Sequence, residues 1–244
     1  MMKQNTLKIL ILILALQSCA SKKKIVSNKN EQKEKVDLTE IPIDPSMDHE
    51  KTWGLDISHY QEVYDWSKLK EHEVGFIFVK ATEGTTMQDS KYIEYYNKAK
   101  ELKIPVGSYH FFTYMTSGKT QAKNFLSFAK FQRGDLPLVL DAEFAKKMPK
   151  TESVVKELND FVMAIYSKTK TYPIIYCPYN YYIKYVKGNL PSKCKLWIVD
   201  YRGRPNCDWT FWQTTEKYRA HGIKGYVDFN QFNGTKKDLK LLFL

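Results

Sequence analysis

The alternation of apolar and polar stretches along the chain predicts a repeating order of strands and helices. Short apolar runs between polar loops are typical of buried strands, and apolar residues spaced three and four apart mark one face of a helix. The clearest helix begins near Thr151, where Val154, Leu158 and Phe161 share a face. Five strands alternate with helices and three more follow with little helix between them. The predicted strands are 53–58, 74–80, 104–112, 136–144, 173–177, 195–201, 210–214 and 226–229.

This order predicts an α/β fold with a largely parallel sheet. Five strand–helix units plus three further strands indicate a TIM-like (β/α) barrel with an irregular, strand-rich C-terminal third, written (β/α)5(β)3. We expect this domain to occupy residues 51–244. Active sites in such barrels lie at the C-terminal ends of the strands.

The first 18 residues have the pattern of a signal peptide. Lys3 and Lys8 flank the start of the apolar run LKILILILAL, which is much shorter than the roughly 20 residues of a transmembrane helix. The run ends in Leu16-Gln17-Ser18-Cys19 and resembles the lipobox of bacterial lipoproteins, in which the peptide is cut before the cysteine. We therefore expect lipidation of Cys19; an ordinary secretory signal is the alternative.

Residues 19–50 contain many Lys, Glu, Asn and Ser and few apolar side chains. Such a segment cannot bury enough surface to fold, and it predicts a flexible tether. A lipid anchor followed by a tether would place the domain in the bacterial cell envelope, at a membrane, facing the periplasm or the surface.

Charge and aromatic content narrow the choice of partners. The net charge is +11, and residues 1–50 hold eight Lys and seven acids, so nearly all of it belongs to the domain. A basic domain favours nucleic acid, anionic lipid or a cell-wall polymer. The lysines are scattered without an Arg-rich helix, which argues against nucleic acid. The 17 Tyr and 5 Trp suit a groove for sugar rings, although tyrosine is also common in half-buried strands.

Three cysteines fall within the domain: Cys177, Cys194 and Cys207. They allow at most one disulfide, and their spacing does not match a zinc site. Free thiols are the expected state, and a Cys194–Cys207 bridge is the alternative.

Two carboxylates end the apolar run at 136–144. In a strand, residues two apart point to one face, about 6.5–7 Å apart, so Asp141 and Glu143 project together. Two carboxylates this close cannot both ionise easily in a buried site, and their pKa values move apart. A protonated acid beside an ionised one is the equipment for cleaving a glycosidic bond. The alternative is a strand end that simply emerges into water.

Asp56 and Asp228 also lie near strand ends, which predicts four carboxylates around one barrel mouth. Calcium or magnesium binding is the main rival, because carboxylates are hard oxygen ligands. No loop has the close acid spacing of a dedicated calcium site, so we expect no metal and no cofactor. Polar and aromatic residues near the same strand ends are Tyr109, His110, Tyr176, Trp197, Trp212 and Gln213.

The chain resembles glycoside hydrolase family 25, the lysozymes of the Chalaropsis and bacteriophage endolysin type. The resemblance runs from about Trp53 to Gly234 and rests on seven motifs in order. They are GLDISHYQ at 54–61, FVKATEGTT at 78–86, VGSYHFF at 106–112, LPLVLDAEF at 136–144, LWIVDY at 196–201, FWQTT at 211–215 and GYVDFNQFNG at 225–234.

The resemblance implies hydrolysis of the β-1,4 bond between N-acetylmuramic acid and N-acetylglucosamine in peptidoglycan. It implies that Glu143 is the general acid and that Asp141 stays ionised and orients the substrate's own N-acetyl group. Asp56 and Asp228 would hold Asp141 and the sugar in place. The residues implied to bind substrate are Tyr109, Tyr176, Trp197, Trp212 and Gln213.

The chain departs from the family in three features. Asp200 occupies a strand position where the family usually has a small or basic residue, so it could alter the electrostatics of the site. His110 fits its motif, but a lone histidine in an aromatic strand is more often a packed core residue than a catalyst. No wall-binding repeats follow the barrel, and a lipid anchor would replace them.

Two rival functions remain open. A catalytically silent peptidoglycan-binding lipoprotein would be expected to lack Asp141 or Glu143, and both are present. A chitinase-like glycosidase is disfavoured by the motifs at 54–61 and 225–234. We expect a monomer whose partners are peptidoglycan glycan strands and a membrane reached through the lipid anchor.

Overall fold

The computed structural model describes residues 51–244. The predicted signal peptide at 1–18, the tether at 19–50 and Cys19 lie outside this range. None of the helices within it has the length and apolar character to cross a membrane.

The described residues form eleven strands and six α-helices. The strands are β1 (Trp53–Ile57), β2 (Glu62–Val63), β3 (Phe76–Glu83), β4 (Met87–Gln88), β5 (Val106–Phe111), β6 (Val139–Asp141), β7 (Ile174–Pro178), β8 (Leu196–Val199), β9 (Phe211–Tyr218), β10 (Ile223–Lys224) and β11 (Val227–Phe232). The helices are α1 (Trp66–Glu71), α2 (Tyr92–Glu101), α3 (Gly118–Phe128), α4 (Thr151–Thr169), α5 (Tyr179–Tyr181) and α6 (Lys236–Leu239). A π-helical turn at Tyr182–Val186 continues α5, and a 3₁₀ turn at Lys240–Leu242 continues α6.

Eight of the strands close into a barrel. Their order is β1, β3, β5, β6, β7, β8, β9 and β11, and β11 pairs with β1 to complete the ring. The pairings from β1 through β9 are parallel. A helix follows each of β1, β3, β5, β6 and β7 before the next barrel strand, whereas β8, β9 and β11 follow one another without one. The predicted (β/α)5(β)3 barrel is confirmed.

Strand β11 corrects one sequence expectation. The sequence predicts Asp228 near the end of a strand in a largely parallel sheet, but Asp228 is the second residue of β11, which runs antiparallel to both β9 and β1. Because the direction is reversed, the start of β11 lies at the edge where the parallel strands end. Asp228 therefore lies at the mouth as expected, but near the start of its strand instead of near its end.

Two apolar layers hold the barrel. The interior is filled by side chains that alternate with outward-facing ones along each strand. The outer layer packs the other face of the strands against the helices. Helix α4 shows the predicted pattern, since Val154, Leu158, Phe161, Val162 and Ile165 are its buried residues. The interior residues include Phe76, Phe78, Val139, Ile174, Trp197 and Phe211.

Two glycines make room for the interior rings. A Cβ on Gly54 would lie 2.3 Å from the carbonyl oxygen of Phe76, and one on Gly107 would lie 2.5 Å from the ring of Phe78. Both distances are far below contact, so these strand positions require glycine. The motifs at 54–61 and 106–112 thus contain glycines that the packing of the barrel requires, as well as polar residues that face the mouth.

Candidate active site

Neighbouring strands bring the predicted carboxylates to one end of the barrel. Asp56 on β1 pairs in register with Asp228 on β11. Asp141, the last residue of β6, pairs with Phe111 on one side and Tyr176 on the other. Glu143 follows two residues later and is half-buried. All four carboxylates therefore face the mouth, as the strand-end pattern predicted.

Asp56 is fixed from below by an amide. Asn230 Nδ2 donates to Asp56 Oδ2 at 2.7 Å, and Trp197 Nε1 donates to Asn230 Oδ1 at 2.8 Å. Burial raises the pKa of Asp56 well above its usual value, the nearby Asp228 raises it further, and the Asn230 bond lowers it. This chain of hydrogen bonds sets the direction in which the Asp56 carboxyl points.

Asp141 and Glu143 share an environment that disfavours two negative charges. Burial raises the pKa of Asp141 well above its usual value, and the charges of Glu143 and Asp56 add to the effect. Burial also raises the pKa of Glu143, while a hydrogen bond from Tyr176 lowers it. The pair is therefore expected to titrate as a unit that retains one proton over a wide pH range.

One oxygen of Asp141 has no hydrogen-bond partner. Asp141 Oδ1 is buried, and no donor within residues 51–244 reaches it. An unpaired buried acceptor costs about 1–3 kcal/mol, so such groups usually have a use. This oxygen is available to accept a hydrogen bond from a bound molecule.

The position of Glu143 is set by its backbone. Because β6 ends at Asp141, Glu143 lies outside the sheet's hydrogen-bond ladder. The hydroxyl of Tyr114 donates to the carbonyl oxygen of Glu143 at 2.6 Å and lies 2.6 Å from the hydroxyl of Tyr181. Phe144 packs edge-on against the Tyr181 ring, with ring centroids 5.1 Å apart. These contacts replace the missing strand pairing.

Removing the Tyr114 hydroxyl should therefore loosen Glu143. We expect Tyr114→Phe to destabilise the fold by about 1–3 kcal/mol, because buried partners lose a hydrogen bond, and to lower kcat several-fold. Urea unfolding and steady-state kinetics measure both. Tyr172→Phe, in a ring stacked on Tyr166, is the control. Equal effects of the two changes would show that Tyr114 has no special role at Glu143.

Asp228 lies across the mouth from the pair. Gln213 Nε2 donates to Asp228 Oδ1 at 3.2 Å and to the Tyr201 hydroxyl at 2.8 Å. Burial and the negative charge of Glu216 raise the pKa of Asp228 to about 6. Gln213 thus lies in the mouth as predicted and holds a carboxyl that changes charge close to neutral pH.

Tyr109 and Tyr176 also lie in the mouth as predicted. Burial, followed by the charge of nearby carboxylates, raises the pKa of both phenols well above the usual value. Both hydroxyls therefore stay protonated and can donate hydrogen bonds at neutral pH.

A groove of about 490 Å³ opens from the mouth beside Glu143. Arg202 forms a two-point ion pair with Asp200 there, at 2.9 and 3.0 Å, and holds the pKa of Asp200 below its usual value. The Asp200 charge is thus largely balanced by its own neighbour. Other residues that line the groove are Tyr176, Tyr179, Asn180, Tyr201 and Glu216.

Two tryptophans do not lie where the sequence placed them. Trp212 points to the outer face of β9, packs edge-on against Trp209 at 5.8 Å and donates its Nε1 to the carbonyl of Asp200 at 2.9 Å. Strand alternation explains this, because Phe211 and Gln213 point inward on either side of it. Trp197 does point inward, but it is 1% exposed and lies in the barrel core. Neither indole can stack on a sugar in this structure.

His110 is a core residue, as its aromatic strand suggested. It is fully buried on the outer face of β5, with Nδ1 2.7 Å from Thr82 Oγ1 and its ring stacked on Phe161 at 5.1 Å. Burial lowers its pKa to about 4, so it is neutral at physiological pH. Cys177, Cys194 and Cys207 are free thiols, and the alternative Cys194–Cys207 bridge is not formed.

Several residues of the site were not singled out from the sequence. Asn230 could have been found, because it lies two positions after Asp228 on the same strand face. Tyr114 and Tyr181 carry no such signal, since their contacts join segments far apart in sequence. Within residues 51–244, no group of three or more His, Cys, Asp or Glu side chains is arranged to hold a metal ion.

Comparison with known families agrees with this geometry. The model of glycosyl hydrolases family 25 matches residues 55–223, well over half of the chain. The chain belongs to glycosyl hydrolase family 25. The match covers β1 through the start of β10 and includes Asp56, Asp141 and Glu143.

Solved structures of similar proteins have the same architecture. A family 25 glycosyl hydrolase from Bacillus anthracis superposes with a TM-score of 0.75 at 31% identity, covering 81% of this chain and 96% of that one. A bacterial lysozyme from Streptomyces coelicolor gives 0.75 at 30% identity, covering 80% and 98%. Lysozyme M1 of Streptomyces globisporus is 30% identical over 208 residues, 78% of this chain and 70% of that protein. The family 25 barrel here thus matches almost the whole length of the two solved chains.

Proposed function

We propose that this family 25 domain is a peptidoglycan muramidase that hydrolyses the β-1,4 bond between N-acetylmuramic acid and N-acetylglucosamine. The observation that carries the proposal is the pairing of buried Asp141 with half-buried Glu143 at a barrel mouth, with raised pKa values for both carboxyls. The Streptomyces relatives named above are lysozymes, and an enzyme of that class needs one protonated and one ionised carboxyl.

Glu143 acts as the general acid. Burial keeps its proton at a pH where an exposed glutamate would have lost it, and the groove gives it access to the leaving oxygen. The Tyr176 hydrogen bond stabilises the carboxylate that forms when the proton has been transferred. The hydrogen bond from Tyr114 to the Glu143 carbonyl holds the Glu143 backbone, and thus its side chain, in place beyond the end of β6.

Asp141 acts through the substrate's N-acetyl group. Its free Oδ1 accepts the N–H of that amide, which orients the acetyl oxygen toward the anomeric carbon, and the substrate then serves as its own nucleophile. A hydrogen bond to the charged form lowers the pKa of a carboxyl. Substrate binding therefore leaves the negative charge on Asp141 and the shared proton on Glu143.

Asp56 and Asp228 position the reacting groups. Asp56 is held by Asn230, and Asp228 by Gln213. Tyr109 and Tyr176 contact the sugar beside them.

We further propose that the enzyme is a lipoprotein of the bacterial cell envelope, anchored to a membrane through Cys19. The support is the sequence Leu16-Gln17-Ser18-Cys19 after a short apolar run. A polar tether of about 30 residues would let the barrel reach the wall from its anchor.

Replacing the anchoring cysteine should release the protein. We expect Cys19→Ala to move the full chain from the membrane fraction to the soluble fraction, because its thiol can no longer carry lipid. Fractionation with immunodetection measures the change, and Cys194→Ala serves as the control. An unchanged membrane fraction in Cys19→Ala would rule out lipidation.

The proposed activity is tested on insoluble peptidoglycan incubated with the full chain. A muramidase releases soluble fragments and new reducing ends. Co-sedimentation with the wall and no new reducing ends would instead identify a silent wall-binding protein.

A further inference from the structure

Lys80 places a positive charge in the mouth, on the side of Asp141 and Glu143. It belongs to β3, is 7% exposed and pairs in register with the inward-facing Tyr109. Its Nζ donates to Glu83 Oε2 at 2.7 Å and lies 5.0 Å from the centre of the Phe111 ring. Phe111 in turn pairs in register with Asp141. These contacts fix the ammonium group on the side of the mouth that Asp141 occupies.

The charge of Lys80 is only partly offset by its partner. The Lys80 side chain is 8% exposed, whereas that of Glu83 is 36% exposed, so water screens the glutamate more than the lysine. Lys80 lowers the pKa of both Asp141 and Glu143. The other titratable groups that interact with the pair are Asp56, Tyr109, Tyr114, Tyr176, Cys177 and Asp228.

We propose that Lys80 is a positioning residue whose ammonium group stabilises the single negative charge that Asp141 and Glu143 share. This inference rests on the proposed function, because the pair needs one proton and one charge to act. Four neighbouring carboxyls, each at least partly buried, would favour full protonation without a cation beside them. With Lys80 in place, the pair can lose its first proton and keep its second, which is the state that both roles require.

A purely structural role would give a different result. The Lys80–Glu83 ion pair could simply tie the end of β3 together, in which case breaking it from either side would have the same effect. Lys80→Met and Glu83→Gln both break the pair and keep the side-chain size, but they change the local charge in opposite directions. The sign of their effects on the carboxyls separates the two roles.

The test is a ¹³C NMR titration of the aspartate and glutamate carboxyls in the full chain. The Asp141 and Glu143 signals are assigned by their loss in Asp141→Asn and Glu143→Gln. We expect Lys80→Met to raise the pH at which the pair loses its first proton, and Glu83→Gln to lower it. Lys80→Arg keeps the charge and should leave that pH near the wild-type value.

Shifts in the same direction for Lys80→Met and Glu83→Gln, or no shift in either, would overturn the proposal. If Lys80→Met does not fold, Glu83→Gln alone decides, since a raised titration point there contradicts the charge role. The acidic limb of kcat/KM should follow the titration, with a tenfold change for each pH unit that the limb moves.

The titration needs no activity. Wild-type protein that titrates as inferred but releases no reducing ends would refute the muramidase proposal and leave the role of Lys80 standing. If the wild-type protein cleaves peptidoglycan but Lys80→Met does not change the pH at which the pair loses its first proton, this inference alone is refuted.

Discussion

Glu143→Gln is expected to lower kcat on peptidoglycan by about 10²–10⁴-fold, the range that a positioned general acid contributes. Glutamine keeps the size of the side chain and can still meet the Tyr176 hydroxyl, but it has no proton to give to the leaving oxygen. The Tyr114 contact involves only the Glu143 carbonyl and is preserved. Circular dichroism should therefore match the wild type, and thermal unfolding should show no loss of stability, because the raised pKa of Glu143 means that its ionised carboxyl does not stabilise the fold. Reducing-end release falls.

The matched control is Glu94→Gln, on the exposed face of α2. Glu94 pairs only with Lys91 at the surface, and such pairs contribute little. Near-normal turnover in Glu143→Gln, with Glu94→Gln unchanged, would remove Glu143 from the role of acid.

Asp141→Asn is expected to lower kcat by about 10²–10³-fold, comparable to the loss of one group that stabilises developing charge. Asparagine removes the negative charge and one of the two acceptor oxygens, so the substrate amide loses its partner at Oδ1. Asp160→Asn, at the surface on α4, is the control. Activity equal to wild type in Asp141→Asn would show that the free oxygen of Asp141 has no part in turnover.

The same variant makes a prediction about stability. Because the pKa of Asp141 is raised in the folded state, the folded protein binds a proton more tightly than the unfolded chain, and the ionised carboxyl destabilises the fold at neutral pH. We expect Asp141→Asn to melt above the wild type at pH 7, by about 2–4 °C per kcal/mol gained. The gain should shrink as the pH falls and should vanish below about 4, the ordinary carboxyl pKa, because the wild-type group is then protonated in both states. An increase in melting temperature that does not change with pH would contradict a raised pKa for Asp141 in the folded protein.

The fold was predictable from the sequence because its signals are local. The helical period of α4 follows from Val154, Leu158 and Phe161, which are buried on one face as predicted. The (β/α)5(β)3 order likewise follows from the lengths of the apolar runs. The direction of β11 has no local signature, since a strand reads the same whether it runs parallel or antiparallel to its neighbours.

The site was predictable where a residue's strand position alone decides its direction. Asp56, Asp141, Tyr109 and Tyr176 lie in the mouth for this reason. The aromatic type of Trp212 alone wrongly predicts a place in the mouth, because strand alternation turns it outward beside the inward-facing Gln213. The role of Tyr114 depends on its contacts with Glu143 and Tyr181, which are far from it in sequence. No local pattern in the sequence predicts contacts of this kind.

One measurement tests the central claim most directly. Purified peptidoglycan is digested by the wild type and, in parallel, by Glu143→Gln; the products are reduced with borohydride and separated for mass spectrometry. The proposed chemistry predicts fragments that end in reduced N-acetylmuramic acid with the wild type, and none with the variant. Fragments that end in reduced N-acetylglucosamine, or identical fragments from both proteins, would contradict it.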